Sequence, residues 1–313
     1  MATTTGDRTS VTAAPAPRRH SGSGVGSAIS RVVAWVVLVV LAVAIVYPMA
    51  WAVLNGFKSN LELFGNPWGL PSELRWQNFQ RAWDLGVVRY LFNSVLVTGV
   101  SVVTVILFSS MAAYALTRHR IPFANAITLL TLGGMMLAPA VALIPLFRLL
   151  QTLGIFNTYW ALIVLYTAFR IPFTVFLIRA YMITLSREME AAAIVDGAST
   201  WQVFWLVVMP LCRPIIVSAA LLQALFAWNE FAFALVFIND TDLKTLPVGL
   251  LQMQGRLLTD WPVLFAALVL ASIPIIVLFL LTQRQFIRGL SEGSGSRSSA
   301  PGQAGVASTA PAR

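Results

Sequence analysis

Between Arg31 and Lys58 the chain carries no charged residue, and the same holds from Arg89 to Arg118 and from Arg120 to Arg148. Each gap is longer than the ~20 apolar residues needed to cross the hydrocarbon core of a bilayer. In hydrocarbon every backbone polar group must be satisfied inside the segment, so runs of this length predict helices. They place spans at about 32–54, 90–116 and 122–148. A fourth runs from about Thr158 to Tyr181, after a turn at Gly154–Asn157, and holds one charge in its interior, Arg170, with Arg179 near its end. Spans five and six are expected at about Ile215–Ile238 and Pro262–Gln283. Pro139, Pro145, Pro172 and Pro274 lie within these runs and are tolerated there, because neighbouring helices satisfy the freed carbonyls.

Composition agrees and excludes other classes. With 58% hydrophobic and 11% charged residues, too little polar surface is available for a water-soluble globule of 313 residues. The net charge of +9 does not gather into a basic face or a recognition motif, so nucleic acid is excluded as a partner. Cys212 is the only cysteine, which rules out an intrachain disulfide and a thiolate metal cluster, and His20 and His119 stand apart. No metal or cofactor is expected.

Residues 1–30, rich in Ser, Thr, Gly, Ala and Pro, and the low-complexity stretch 291–313 read as disordered head and tail around a membrane domain at 31–290. The head with Val32–Leu54 is too long an apolar run for a signal peptide. Lys and Arg in the short connections set the orientation. A cytoplasmic head puts Arg118, Arg120, Arg179, Arg187, Arg213, Arg284 and Arg288 on the same side. Both termini are then cytoplasmic, the loops at about 55–89 and 239–261 are external, and the polar stretch between spans four and five is cytoplasmic.

That stretch, about 186–210, is the most structured interruption in the chain. Ser186 is a candidate cap for a helix opening on Glu188 and Glu190, followed by Ala191, Ala192 and Ala193. Asp196-Gly197 turns the chain, and Ser199 or Thr200 can cap a second helix. In it Trp201, Phe204, Trp205 and Val208 recur at i, i+3, i+4 and i+7, predicting one apolar face.

The segment Glu190–Pro214 resembles the EAA loop of ABC importer permeases: an EAA triplet, a glycine, and an apolar-x-Leu-Pro ending. Anchored on Gly197, the ending matches Val207-Val208-Met209-Pro210, and Ala191 falls at the usual acidic position, one residue after Glu190. Asn93-Ser94, Ala113-Tyr114-Ala115-Leu116, Ala142-Leu143-Ile144-Pro145-Leu146, Trp228-Asn229-Glu230-Phe231 and Thr245-Leu246-Pro247-Val248-Gly249-Leu250 resemble the carbohydrate branch. Within it they are similar to the six-span second permease of maltose-type transporters, over about residues 32–290.

The resemblance implies an all-α polytopic membrane protein of six transmembrane helices with a cytoplasmic EAA-type coupling loop. It implies a permease subunit of a binding-protein-dependent sugar or oligosaccharide importer in the bacterial inner membrane, working by alternating access. The implied partners are a homologous permease, an ATPase dimer and an extracytoplasmic sugar-binding protein. No G-x-x-x-x-G-K-[ST] motif occurs, so the chain is not expected to be an enzyme, and ATP hydrolysis belongs to the separate subunit. Glu190, Ala191, Ala192, Ala193, Asp196, Gly197 and Ala198 would meet the ATPase, with Trp201, Phe204 and Trp205 tying the loop to the permease's own helices. Gln252, Gln254 and Gly255 would meet the binding protein.

Glu230 is an ionisable group inside span five. It reads either as part of the translocation path or gate, together with Asn229, or as a buried structural group paired with Asn229 or Arg170. The alternative function is a self-contained secondary transporter coupled to an ion gradient, with Glu230 and Arg170 as its coupling pair.

Overall fold

The computed structural model describes residues 24–136, 138–254 and 259–295, with side chains described from 30 to 282 outside the same gaps. Among the described residues the secondary structure is helical throughout, with no strand. The chain divides into two units, Met1–Trp51 and Ala52–Arg313.

The first unit contains most of α1 (Gly24–Gly56), whose apolar part begins at Ser30. The helix therefore starts before the expected limit of the head at residue 30. Residues 1–23 lie outside the described residues, as does the tail beyond 295.

In the second unit, α2 (Asn60–Gly65) and α3 (Gln77–Ala82) lead through a π-helical turn at Trp83–Val87 into α4 (Val88–Arg118). α5 (Ala124–Gly134) and α6 (Leu143–Thr152), the latter preceded by a 3-10 turn at Pro139–Ala142, follow. Next come α7 (Tyr159–Thr184), then α8 (Glu188–Val195), α9 (Thr200–Val203) and α10 (Met209–Leu211). α11 (Arg213–Asn229), α12 (Ala232–Phe237), α13 (Leu246–Gln252) and α14 (Trp261–Gly295) complete the order.

Four of these helical stretches are long and apolar enough to cross a membrane: Ser30–Gly56, Gln77–Arg118, Tyr159–Thr184 and Trp261–Thr282. Two bent pairs raise the number to as many as six. Span three is one of them, and it is not a single rod. Ala124–Gly134 and Pro139–Thr152 meet at 89°. Gly133 and Gly134 are poor helix formers, and Ala138, the residue before Pro139, is extended with ψ 121°, as the proline ring demands. Span five is also interrupted. The expected run to Ile238 stops at Asn229, Glu230 is extended, and α12 restarts at Ala232.

The helices pack through small and aromatic side chains. Ala219, Ala224 and Ala227 of α11 and Ala266, Ala267 and Ala271 of α14 are buried, which lets backbones approach closely where lipid supplies no hydrophobic drive for association. One core cluster centres on Tyr166, Phe233 and Phe237, a second on Tyr114, Ile178, Met182, Phe204 and Val208, and a third on Val87, Trp228 and Leu246.

At its first turns α4 fastens the 239–252 segment. The Asn93 amide donates to the carbonyls of Asp242 and Lys244, both at 2.8 Å, and its oxygen accepts from the Tyr159 hydroxyl at 2.7 Å. Ser94 Oγ accepts the Leu246 N–H at 2.8 Å, and Arg89 pairs with Asp242. Gly249 lies against the ring of Tyr90, where an added Cβ would come within 2.2 Å of a ring carbon. The strings Asn93-Ser94 and Thr245–Leu250 are thus two sides of one joint. Asn93→Ala is expected to destabilise the fold by about 1–3 kcal/mol, since it removes the three hydrogen bonds of a buried amide. Thermal unfolding in detergent, with limited proteolysis inside 239–254, checks this.

Candidate functional site: the loop between α7 and α11

The chain leaves α7 at Leu185 and turns into α8 with Arg187 at the N-cap, while Ser186 Oγ accepts the Glu188 N–H at 3.2 Å. Glu188 and Glu190 occupy the first turn, where carboxylates favour the positive end of the helix dipole. α8 ends on Gly197, whose φ of +88° only glycine adopts without strain. Gly197 N–H bonds the Ile194 carbonyl at 3.0 Å and Ala198 N–H bonds the Ala193 carbonyl at 2.9 Å, closing the last turn. Ser199 then caps α9 in a reciprocal box with Gln202.

α8 faces two ways. Glu190 is buried and Ala193 half-buried toward the bundle, whereas Ala191, Ala192, Asp196 and Gly197 are exposed, with Ala198 half-buried. Met189, Ile194 and Val195 are exposed as well, the last at 86%. The result is a small, apolar, solvent-open ridge. Of the seven residues expected to meet an ATPase, Glu190 is the one the fold buries. Its carboxylate pairs with Arg118 of α4 at 2.7 Å, and the two side chains are 9% and 6% exposed. Nothing in the pattern of the loop itself signals this partner, which lies 72 positions away and reads in sequence only as a basic loop residue.

The second limb differs from the expected single face. A π-helical turn at Phe204–Val208 inserts one residue into the helical repeat. Burial therefore falls on Val203, Phe204 and Val208, while Trp201 is 58% and Trp205 38% exposed. Phe204 reaches Tyr114 of α4 with ring centroids 5.2 Å apart. Trp201 and Trp205 pack on Phe204 and on each other, and leave their outer faces open. The limb bends by 77° into α11, and Cys212 is fully buried at the corner.

Glu230 sits at the break in span five. Its carboxylate accepts the N–H groups of Phe233 at 2.8 Å and Ala234 at 3.2 Å, which are opening donors of α12, and the Tyr166 hydroxyl at 2.8 Å. The bonding pattern is that of a structural cap, and neither Asn229 nor Arg170 is its partner. Asn229 bonds back to the Leu225 carbonyl. Arg170 donates to Gln223 at 3.0 Å, with its guanidinium over the rings of Phe173 and Phe226 at 4.8 and 4.7 Å.

Asn229 and Gln254 line one cavity of about 460 Å³ with Trp228, Phe231 and Ser272. Gln252 is exposed at the end of α13, and Gly255 lies outside the described residues.

Two outcomes test this geometry. A cysteine replacing Ala192 is expected to react rapidly with a maleimide while native Cys212 stays unlabelled, and equal labelling rates in folded protein would contradict the burial described. Glu230→Ala is expected to cost about 1–3 kcal/mol in thermal unfolding, since it strands the Tyr166 hydroxyl and two helix donors.

Residues 105–292 match the family model described as the binding-protein-dependent transport system inner membrane component. The chain is 45% identical over 260 residues to the probable ABC transporter permease protein YurM of Bacillus subtilis (strain 168), covering 83% of this chain and 87% of that one. It is 32% identical to the diacetylchitobiose uptake system permease protein NgcG of Streptomyces coelicolor, covering 82% and 86%. Among solved structures, a chain of a bacterial ABC transporter involved in the import of the acidic polysaccharide alginate superposes with a TM-score of 0.74 at 24% identity, over 83% of this chain and 98% of that one.

Proposed function

From the premise that this chain belongs to the binding-protein-dependent transport system inner membrane components, the permeases of ABC transporters, we propose that it carries a sugar or oligosaccharide across the bacterial inner membrane. It does so by alternating access beside a second permease, with both termini cytoplasmic. A separate ATPase dimer supplies the energy and an external binding protein delivers the cargo. The cargo class rests on the relatives, among them a permease for diacetylchitobiose uptake.

The observation that carries the reading is the ridge on α8. Ala191, Ala192, Ile194, Val195, Asp196 and Gly197 are open to solvent on a helix whose other face is anchored. A small-residue helix of this kind fits a cleft in a partner, and the apolar side chains at its tip gain by being covered there. Ala193 and Ala198 support the ridge from beneath. At the other end of the bundle, Gln252 and Gln254 would meet the binding protein, and Asn229 would line the path near them.

Family membership removes the gradient-coupled transporter as the main alternative. Its coupling pair is also unsupported by the geometry, since Glu230 and Arg170 bond to different partners.

A cysteine at Ala192 or Ala198, in a Cys212→Ser background, tests the docking. Crosslinking in native membranes is expected to capture a P-loop ATPase, with a yield that changes on adding ATP. A reactive, folded protein that captures no ATPase would overturn the reading.

A further inference from the structure

The last turn of α4 receives contacts from both limbs of the loop. Arg118 pairs with Glu190 of α8 and donates to the Leu185 carbonyl at 3.4 Å, and Arg187 donates to the Thr117 carbonyl at 3.1 Å. Phe204 of the second limb packs on Tyr114. All four contacts fall within Tyr114–Arg118. The first turns of the same helix hold the 239–252 segment through Arg89, Asn93 and Ser94. α4 is unbroken between these two joints, 31 residues long, or about 45 Å at the helical rise.

We propose that Arg118 and Glu190 are positioning residues that key the ATPase-docking loop to α4, making α4 the rod that carries movement of the loop to the external segment 239–252. The proposal rests on the docking reading given above. A buried ion pair is a poor device for stability, because desolvation of both charges offsets their attraction, and an apolar pair of similar volume often serves as well. What the pair adds is a fixed relative position. The short chain links at Leu185 and Cys212 join the loop to α7 and α11, yet its one buried carboxylate is spent on α4. Ala191, at the position where an acid is usual in this motif, leaves the outward face of α8 without a carboxylate of its own at that point.

The test uses the importer complex purified through a tag on this chain, in a Cys212→Ser background. A cysteine at Ala192 reports docking by crosslinking, and in a separate variant a cysteine at Gln252 reports the external segment by its maleimide labelling rate with and without ATP plus vanadate. In the otherwise unaltered chain the nucleotide is expected to change the Gln252 labelling rate at least about fivefold. Arg118→Met with Glu190→Leu removes both charges together and leaves no unpaired buried ion. This double variant is expected to fold and to crosslink the ATPase normally, while its Gln252 label no longer answers to the nucleotide. The exchange Arg118→Glu with Glu190→Arg is expected to restore the response. A Met/Leu variant that responds like the parent overturns the proposal, and so does a parent complex that crosslinks the ATPase but shows no response at Gln252. If the parent captures no ATPase, the docking reading fails first and the proposal falls with it.

Discussion

Every backbone N–H and C=O in a bilayer needs a partner, because hydrocarbon offers none. This constraint forces the spans into helices, and it also explains what happens where the helices break. Span five stops at Asn229, and the donors opened at the start of α12 are taken by the Glu230 carboxylate, which in turn holds Tyr166 of α7. A charge in the membrane is here the repair of a broken helix. Arg170 is accommodated by a different route, between two aromatic rings with one hydrogen bond to a buried glutamine.

The same economy of polar groups shapes the two ends of α4. At one end Asn93 and Ser94 supply side-chain partners to the segment that carries the 3-10 turn Thr241–Leu243 and the start of α13. At the other, Arg118 holds Glu190 of the loop that leaves α7, and Arg187 of that loop donates back to the Thr117 carbonyl. Between them α4 packs along α7 and α11 through small apolar and hydroxyl residues, among them Val97, Ser101, Val105, Ser109 and Ala113. The charged and amide joints sit at the ends, where backbone leaves the helices, and the middle meets α7 through side chains such as Thr104, whose hydroxyl bonds that of Thr167 at 2.8 Å.

Much of the loop's local geometry is legible in the sequence. Glu188, Gly197 and Ser199 announced the start, turn and restart of the loop because each carries a local signal: a charge matched to a helix dipole, a positive φ, a capping side chain. Of the apolar face expected on the second limb, Phe204 and Val208 are buried while Trp201 and Trp205 stay open, since an i, i+3, i+4, i+7 pattern assumes a regular helix and does not foresee the π-turn at Phe204–Val208. Glu230 was narrowed to path, gate or structural group but its partner was missed. Tyr166 is 64 positions away, and the nearer candidate, Asn229, is bonded within its own helix.

By itself the sequence determined that this chain is a helical membrane protein with a structured loop between spans four and five, because charge-free runs and capping residues act over distances of a few turns. Only the tertiary structure decided that Glu190 pairs with Arg118, that Asn93 and Ser94 hold a segment some 150 residues further on, and that spans three and five are broken. Those outcomes depend on which side chains meet across the bundle. Such meetings are set by packing between helices, which leaves no periodic trace in any one of them.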